Sequence, residues 1–399
     1  VRSDLDNAIE YYNKSLKIAE SLGYKETMTA AYGNLGLVYR KRGDWDKAIE
    51  YYNKSLKIAE SLGHKETMAA VYINLGTVYQ KRGDLDNAIE YYNKSLKINE
   101  SLGHKETMAA VYINLGTVYQ ERGDLDNAIE YYNKSLKINE SLGRKEEIAS
   151  NYGNLGEVYR VRSDLDNAIE YYNKSLKINE SLGHERGMAG NYTSLGNVYL
   201  TRGDLDKAVE YYNKSLKITE SLGDKEKMAA AYGNLGVVYK TRGDLDKAVD
   251  FYNKSLKIHE SLGKKTGMAI QYNNLGIVYD TRGDLDKAVE FYNKSLKIHE
   301  SLGHKEGMAD NYTNLGNVYK NRSDWDKAVN FYNKSLEINE SLGIKRVTAN
   351  NYANLGLLYV KRKDHKKARE YLEKSLALFQ AFGSPIAKEV QGWLDELPR

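Results

Sequence analysis

The chain has 399 residues, more than one hydrophobic core ordinarily organises. Its 59 Lys and Arg nearly balance its 55 Asp and Glu, and the net charge of +4 is too small to mark the concentrated basic face that nucleic acid requires. No cysteine is present, which excludes disulfides, thiolate zinc sites and cysteine nucleophiles.

The first predicted element is a lone helix, about residues 4–22, with no partner helix before it; more protein is therefore expected to precede Val1. A 40-residue repeat follows. The segment 41–80 recurs at 81–120 with three changes: Trp45 to Leu85, Lys47 to Asn87 and Ala59 to Asn99. The same frame continues without insertion to residue 382, and a regular repeat of this length is read before any local motif.

Each repeat holds two helical patterns. In 81–120, Asp84 is placed to cap a helix, and Asp86 adds a second acid in its first turn. Leu85, Ala88, Ile89, Tyr92, Ser95, Leu96 and Leu102 follow at helical spacing, and Gly103 ends the helix as a left-handed residue. The next helix begins near Glu106. It carries Met108, Tyr112, Leu115 and Tyr119 on one face and closes at Arg122 and Gly123. After Gly383, Ser384 and Pro385 predict the start of a short amphipathic helix, 384–397, with Ile386, Val390, Trp393 and Leu394 inward. It is expected to cap the array.

Propeller blades would need short alternating strands, and none are predicted. HEAT repeats share the length and the two helices, so the residue pattern has to decide. Tyr112, Leu115, Gly116 and Tyr119 are followed by Ala128, Tyr132 and Ser135. This order of aromatic, Leu-Gly, Tyr, then small, aromatic, small resembles the signature of the tetratricopeptide repeat (TPR) family. The match recurs nine times, from Tyr32 to Tyr352. The extra length around Ile98 to Lys105 makes the units similar to long-repeat arrays of the LGN, Rapsyn and kinesin-light-chain type. The resemblance implies an all-α, right-handed superhelical solenoid of antiparallel helix pairs over residues 1–382. It also implies a protein or peptide partner, no catalysis and no cofactor.

The resemblance further implies that the first helix of each pair lines a concave groove. The residue before each Leu-Gly falls on that face: Asn34, Asn74, Asn114, Asn154, Ser194, Asn234, Asn274, Asn314 and Asn354. Asn is a mediocre helix former, and its amide both donates and accepts. Such a column can bind the backbone of an extended peptide, or it can hold neighbouring helices in register. Both readings stand at this point. Specificity is expected from groove positions that vary between repeats, among them Thr77, Thr117, Glu157, Asn197 and Asn317, with Arg160 and Lys240 at the helix ends. Four residues before the Asn stand Ala70, Ala110 and Ser150, so the paired basic residues of a carboxylate clamp are missing.

The seven His are read as surface residues in turns or single positions on helices, and no metal site is expected. The recurrent Arg42, Arg82, Arg122 and their equivalents are expected to pair with a helix end and a nearby Asp. No apolar run reaches membrane-spanning length, and no signal-peptide core opens the chain, so membrane insertion is not expected and a cytoplasmic location is. The reading is a non-catalytic scaffold that binds an extended or partly helical segment. The alternatives are a self-associating structural scaffold and the sensor arm of a larger signalling protein.

Overall fold

A computed structural model describes residues 2–398, with side chains from residue 4 onward. Two compact units, 1–202 and 203–399, divide the chain. The first holds α1 (Arg2–Leu22), α2 (Lys25–Arg42), α3 (Trp45–Leu62), α4 (Lys65–Lys81), α5 (Leu85–Leu102), α6 (Lys105–Glu121), α7 (Leu125–Ser141), α8 (Lys145–Val161), α9 (Leu165–Leu182) and α10 (Glu185–Arg202). The second holds α11 (Leu205–Ser221), α12 (Lys225–Thr241), α13 (Leu245–Ser261), α14 (Lys265–Thr281), α15 (Leu285–Leu302), α16 (Lys305–Asn321), α17 (Trp325–Ser341), α18 (Lys345–Lys361), α19 (His365–Ala381) and α20 (Ile386–Asp395). Each unit is an all-α solenoid of stacked helix pairs, without strands among the described residues.

The punctuation is chemical. Asp44, Asp84, Asp124 and Asp164 accept from the backbone N–H three residues on, which satisfies one of the orphan donors of each helix start. Glycines such as Gly63 and Gly103 take φ near +70° and let the chain reverse. At the turns after the leading helices, where Gly43, Gly83 and Gly123 stand in other repeats, Ser163, Ser323 and Lys363 adopt the same left-handed geometry, at φ 59–66°. The C-terminal helix begins at Ile386, whose N–H reaches Ser384 Oγ at 3.4 Å.

Within a pair, Leu-Gly meets tyrosine. A Cβ placed on Gly116 would stand 2.7–2.8 Å from the ring edge of Tyr132, so the two helices approach as closely as they do because the side chain is absent. Tyr52, Tyr92 and Tyr132 in the first unit and Tyr252, Tyr292 and Tyr332 in the second are at most 2% exposed. Beside them runs a second aromatic layer: Tyr79 stacks on Tyr91 at 5.2 Å, and Tyr279 on Phe291 at 5.3 Å. In several pairs a buried serine ties the two helices, as where Ser55 Oγ donates to the Thr29 carbonyl at 2.9 Å and Ser255 Oγ to that of Ala229 at 2.8 Å.

Between pairs, the recurrent arginine reaches back to an acid in the first turn of the preceding trailing helix. Arg82 meets Asp46 at 2.9 Å, Arg122 meets Asp86 at 3.0 Å and Arg362 meets Asp326 at 2.8 Å. These pairs are exposed, and each contributes about 0–1 kcal/mol. They help set register more than they add stability.

Candidate interaction face

The leading helix of each pair presents one face that is not packed on its own trailing helix. All eight column residues, Asn34, Asn74, Asn114, Asn154, Asn234, Asn274, Asn314 and Asn354, lie half-buried on it. Three of them bond to the adjacent leading helix. Asn74 Oδ1 accepts from Arg40 at 3.4 Å, Asn314 Nδ2 donates to Asn273 Oδ1 at 3.0 Å, and Asn354 Oδ1 accepts from Lys320 at 3.5 Å. The side-chain amides of Asn34, Asn114, Asn154, Asn234 and Asn274 form no hydrogen bond with the described residues. Register accounts for part of the column, and five amides are left over.

The variable positions Thr77, Thr117, Glu157, Asn197 and Asn317 are half-buried on the same helices. Thr77, Thr117, Glu157 and Asn317 show what such a position does inward. Thr77 and Thr117 each stand 3.1 Å from the phenol of Tyr92 or Tyr132, fifteen residues on. Glu157 accepts from Tyr172 at 2.8 Å and Asn317 from Tyr332 at 2.7 Å. Where the same position is Leu37 or Val237, the hydroxyls of Tyr52 and Tyr252 are buried without a partner. The variation therefore tracks the needs of the interior, which the expectation of ligand specificity did not foresee.

Arg160 is also engaged. Its Nε and Nη2 donate to the two oxygens of Glu157 at 2.8 and 2.5 Å. Burial pushes the Glu157 carboxyl up, but the hydrogen bonds from Arg160 and Tyr172 outweigh it and hold it below its ordinary range. Bonding to Glu157 raises Arg160 in turn. In the second unit, Lys240 is half-buried and forms no ion pair with the described residues, and one repeat further on Asp280 is raised by burial. Burial and the neighbouring Lys361 lower Lys320. Charge on this face thus alternates from Lys240 to Asp280 to Lys320.

Sequence reasoning missed a polar layer behind the face, where the end of a trailing helix meets the next leading helix. Asn139 Nδ2 donates to Asn151 Oδ1 at 3.1 Å, and Asn339 Nδ2 to the Ser335 carbonyl at 2.9 Å. The reading of the histidines as surface residues is corrected here. His299 is 6% exposed and lies 3.2 Å from His304, and Nδ1 of half-buried His259 is enclosed without a partner. A signal was present. Gly187, Gly267 and Gly307 stand eight residues after Asn179, His259 and His299, and a Cβ on any of them would come within 2.3–2.6 Å of that side chain. Glycine makes room for the larger polar group. Among the described residues no cluster of three His, Asp or Glu could hold a metal ion.

Burial lowers the pKa of both His259 and His299; Lys264 lowers His259 further against Glu226, and His304 lowers His299. The folded protein then binds fewer protons than the unfolded chain. This contribution is fully present above the ordinary histidine pKa of about 6.5 and is lost as pH falls through the lower folded values. The melting midpoint should hold steady from pH 8 to 7 and drop below pH ~6.5. A His259→Asn, His299→Asn variant should lose part of that acid sensitivity, since asparagine fills the same position beside Gly187. An unchanged pH profile would count against this origin.

The fold and this face define a class: an all-α repeat solenoid that serves as a scaffold for protein interaction. The chain belongs to the tetratricopeptide repeat family, whose model matches residues 2–61, 67–141, 147–221, 227–301 and 307–381. Proteins of this fold are in general non-catalytic interaction scaffolds. Among solved structures it is similar to BtubC (BKLC) from P. vanneervenii, at 26% identity and TM-score 0.50, over 55% of this chain and 92% of that one. A signal-transduction ATPase with numerous domains and a tetratricopeptide repeat sensor, from Pyrococcus horikoshii, matches at 17% identity and TM-score 0.61 over 92% of this chain. The match spans 54% of that protein's length. Aspartyl phosphate phosphatase F from Bacillus subtilis matches at 14% identity and TM-score 0.58, over 88% of this chain and 94% of that one. The last two likenesses concern the fold alone. No curated protein matches. Among the described residues no helix is long and apolar enough to cross a membrane.

Proposed function

We propose that the leading-helix face of each unit is a groove that binds an extended or partly helical segment of a partner protein, with that unit's asparagine column holding the segment's backbone. The observation that carries this reading is the set of half-buried amides on Asn34, Asn114, Asn154, Asn234 and Asn274, which have no hydrogen-bond partner among the described residues. A carboxamide binds a peptide group through one acceptor and one donor and does not read its side chain. Recognition of this kind suits a repeat that is copied with little change. Asn74, Asn314 and Asn354 serve the spacing of the helices in the same scheme.

The test is an Asn114→Ala, Asn154→Ala, Asn234→Ala variant. None of the three amides is used within the fold, so stability should change little. Each lost hydrogen bond contributes about 0.5–1.5 kcal/mol, so a captured partner should bind at least ~10-fold more weakly in a titration. Unchanged affinity would overturn the reading.

A further inference from the structure

One place on this face differs from the rest. In the first unit a cavity of about 300 Å³ opens between the leading helices α8 and α10, with the end of α9 behind it. Three glycines line it: Gly153 on α8, and Gly187 and Gly190 on α10. The position of Gly153 is also glycine at Gly33 and Gly233 but is filled by Ile73 or Ile113 elsewhere, and that of Gly190 is filled in other repeats by residues such as Ala70, Ile270 or Asp310, so the three glycines occur together only here. The space in front of Gly187 is taken by the Asn179 amide, but a Cβ on Gly190 would meet nothing within 4 Å. A helical glycine without a packing reason is costly to keep.

The wall of the cavity carries the second observation. Asn191 lines it and is only 7% exposed. Its Oδ1 accepts from Asn179 Nδ2 at 2.8 Å and from Ser175 Oγ at 3.4 Å. Its Nδ2 hydrogens find no acceptor among the described residues. At the equivalent position Asn151 Nδ2 donates to the Tyr132 carbonyl at 3.0 Å, and Asn351 Nδ2 to Ser335 at 2.9 Å. Asn191 therefore keeps an unpaired donor on an otherwise buried side chain, and the open cavity is the place where an acceptor can reach it. The exposed Glu146 and Ser150 and the partnerless Asn154 also line the cavity, and Glu146 supplies a carboxylate acceptor.

We propose that this cavity receives a primary carboxamide, the side chain of a Gln or Asn on the bound peptide. The inference rests on the groove reading, since the side chain arrives on that peptide. A carboxamide oxygen accepts from Asn191 Nδ2, and its NH₂ donates to Glu146 or Asn154. A carboxylate would meet Glu146 with like charge. A lysine or arginine would satisfy Glu146 and turn donors towards the donor on Asn191. An apolar side chain would leave Asn191 unpaired, and buried donors are rarely left so.

The experiment is saturation-transfer NMR on the full chain with N-acetylglutamine methylamide, compared with the glutamate and alanine analogues. Gly153→Ile and Asn191→Val are the matched variants. Both introduce residues that other repeats already carry, at Ile73 and Ile113 and at Val71 and Val111, and melting curves check that the fold is kept. The glutamine probe should bind at least fivefold more tightly than either analogue, and each variant should abolish that preference. Equal binding of the three probes, or a preference that survives both variants, overturns the assignment. If the preference fails while the Asn114, Asn154, Asn234 variant still loses its partner, the pocket assignment falls and the groove reading stands.

Discussion

Gly276→Ala should destabilise the second unit by about 1–3 kcal/mol, the usual cost of overpacking a filled core. A Cβ at this position would lie 2.6 Å from Tyr292 Cε1 and 2.7 Å from Cδ1. Tyr292 is 2% exposed and has no open space to swing into. The clash forces either the ring off its rotamer or the two helices apart. Gly356 shows that the contact is not special to tyrosine, because its Cβ would stand 2.6 Å from Leu372 Cγ. Gly392→Ala is the control. It lies inside α20, and a Cβ there meets nothing within 4 Å. This change should stabilise by up to ~1 kcal/mol through helix propensity alone. Urea unfolding of both variants measures the difference. A neutral Gly276→Ala would show that the leading and trailing helices are not held at this distance by the glycine.

Tyr252→Phe and Tyr332→Phe should have opposite signs. Both rings are fully buried. The Tyr252 hydroxyl has no partner, because Val237 stands where other repeats place a polar residue, whereas Tyr332 donates to Asn317 Oδ1 at 2.7 Å. Removing an orphaned buried hydroxyl should gain about 1 kcal/mol or more, and removing a paired one should cost about 1 kcal/mol. Burial raises the pKa of both phenols, so neither ionises at neutral pH and charge does not enter the comparison. The urea midpoint should rise for the first variant and fall for the second. Two shifts of the same sign would mean that the partner on the leading helix is irrelevant to the phenol.

The helices were legible because periodicity, aspartate caps and glycine stops all repeat in the same frame. Asp84 and Gly103 are found where the pattern puts them, and the leading helix of 105–121 begins at Lys105, one residue before the Glu106 expected. The face was legible only in part. Thr77 and Tyr92 are fifteen residues apart across a turn, and their contact depends on the register of two helices, which no single-helix pattern contains. The variable column therefore resembled a recognition surface, although it is largely a set of partners for buried phenols. The histidines were misjudged for a related reason. A lone His259 on a helix gives no sign of burial until Gly267 is recognised as the space it fills. The Asn column was visible as a column. Which of its amides are already engaged, such as Asn74 and Asn314, depended on neighbours one repeat away.

The central claim is that partners bind on the leading-helix face. Hydrogen–deuterium exchange of the chain with and without a captured partner tests it directly. Slowed exchange should concentrate in the leading helices α2, α6, α8, α12 and α14, which carry the five free amides, and should weaken in the Asn114, Asn154, Asn234 variant. Protection confined to the trailing helices, with α2, α6, α8, α12 and α14 unchanged, would contradict it.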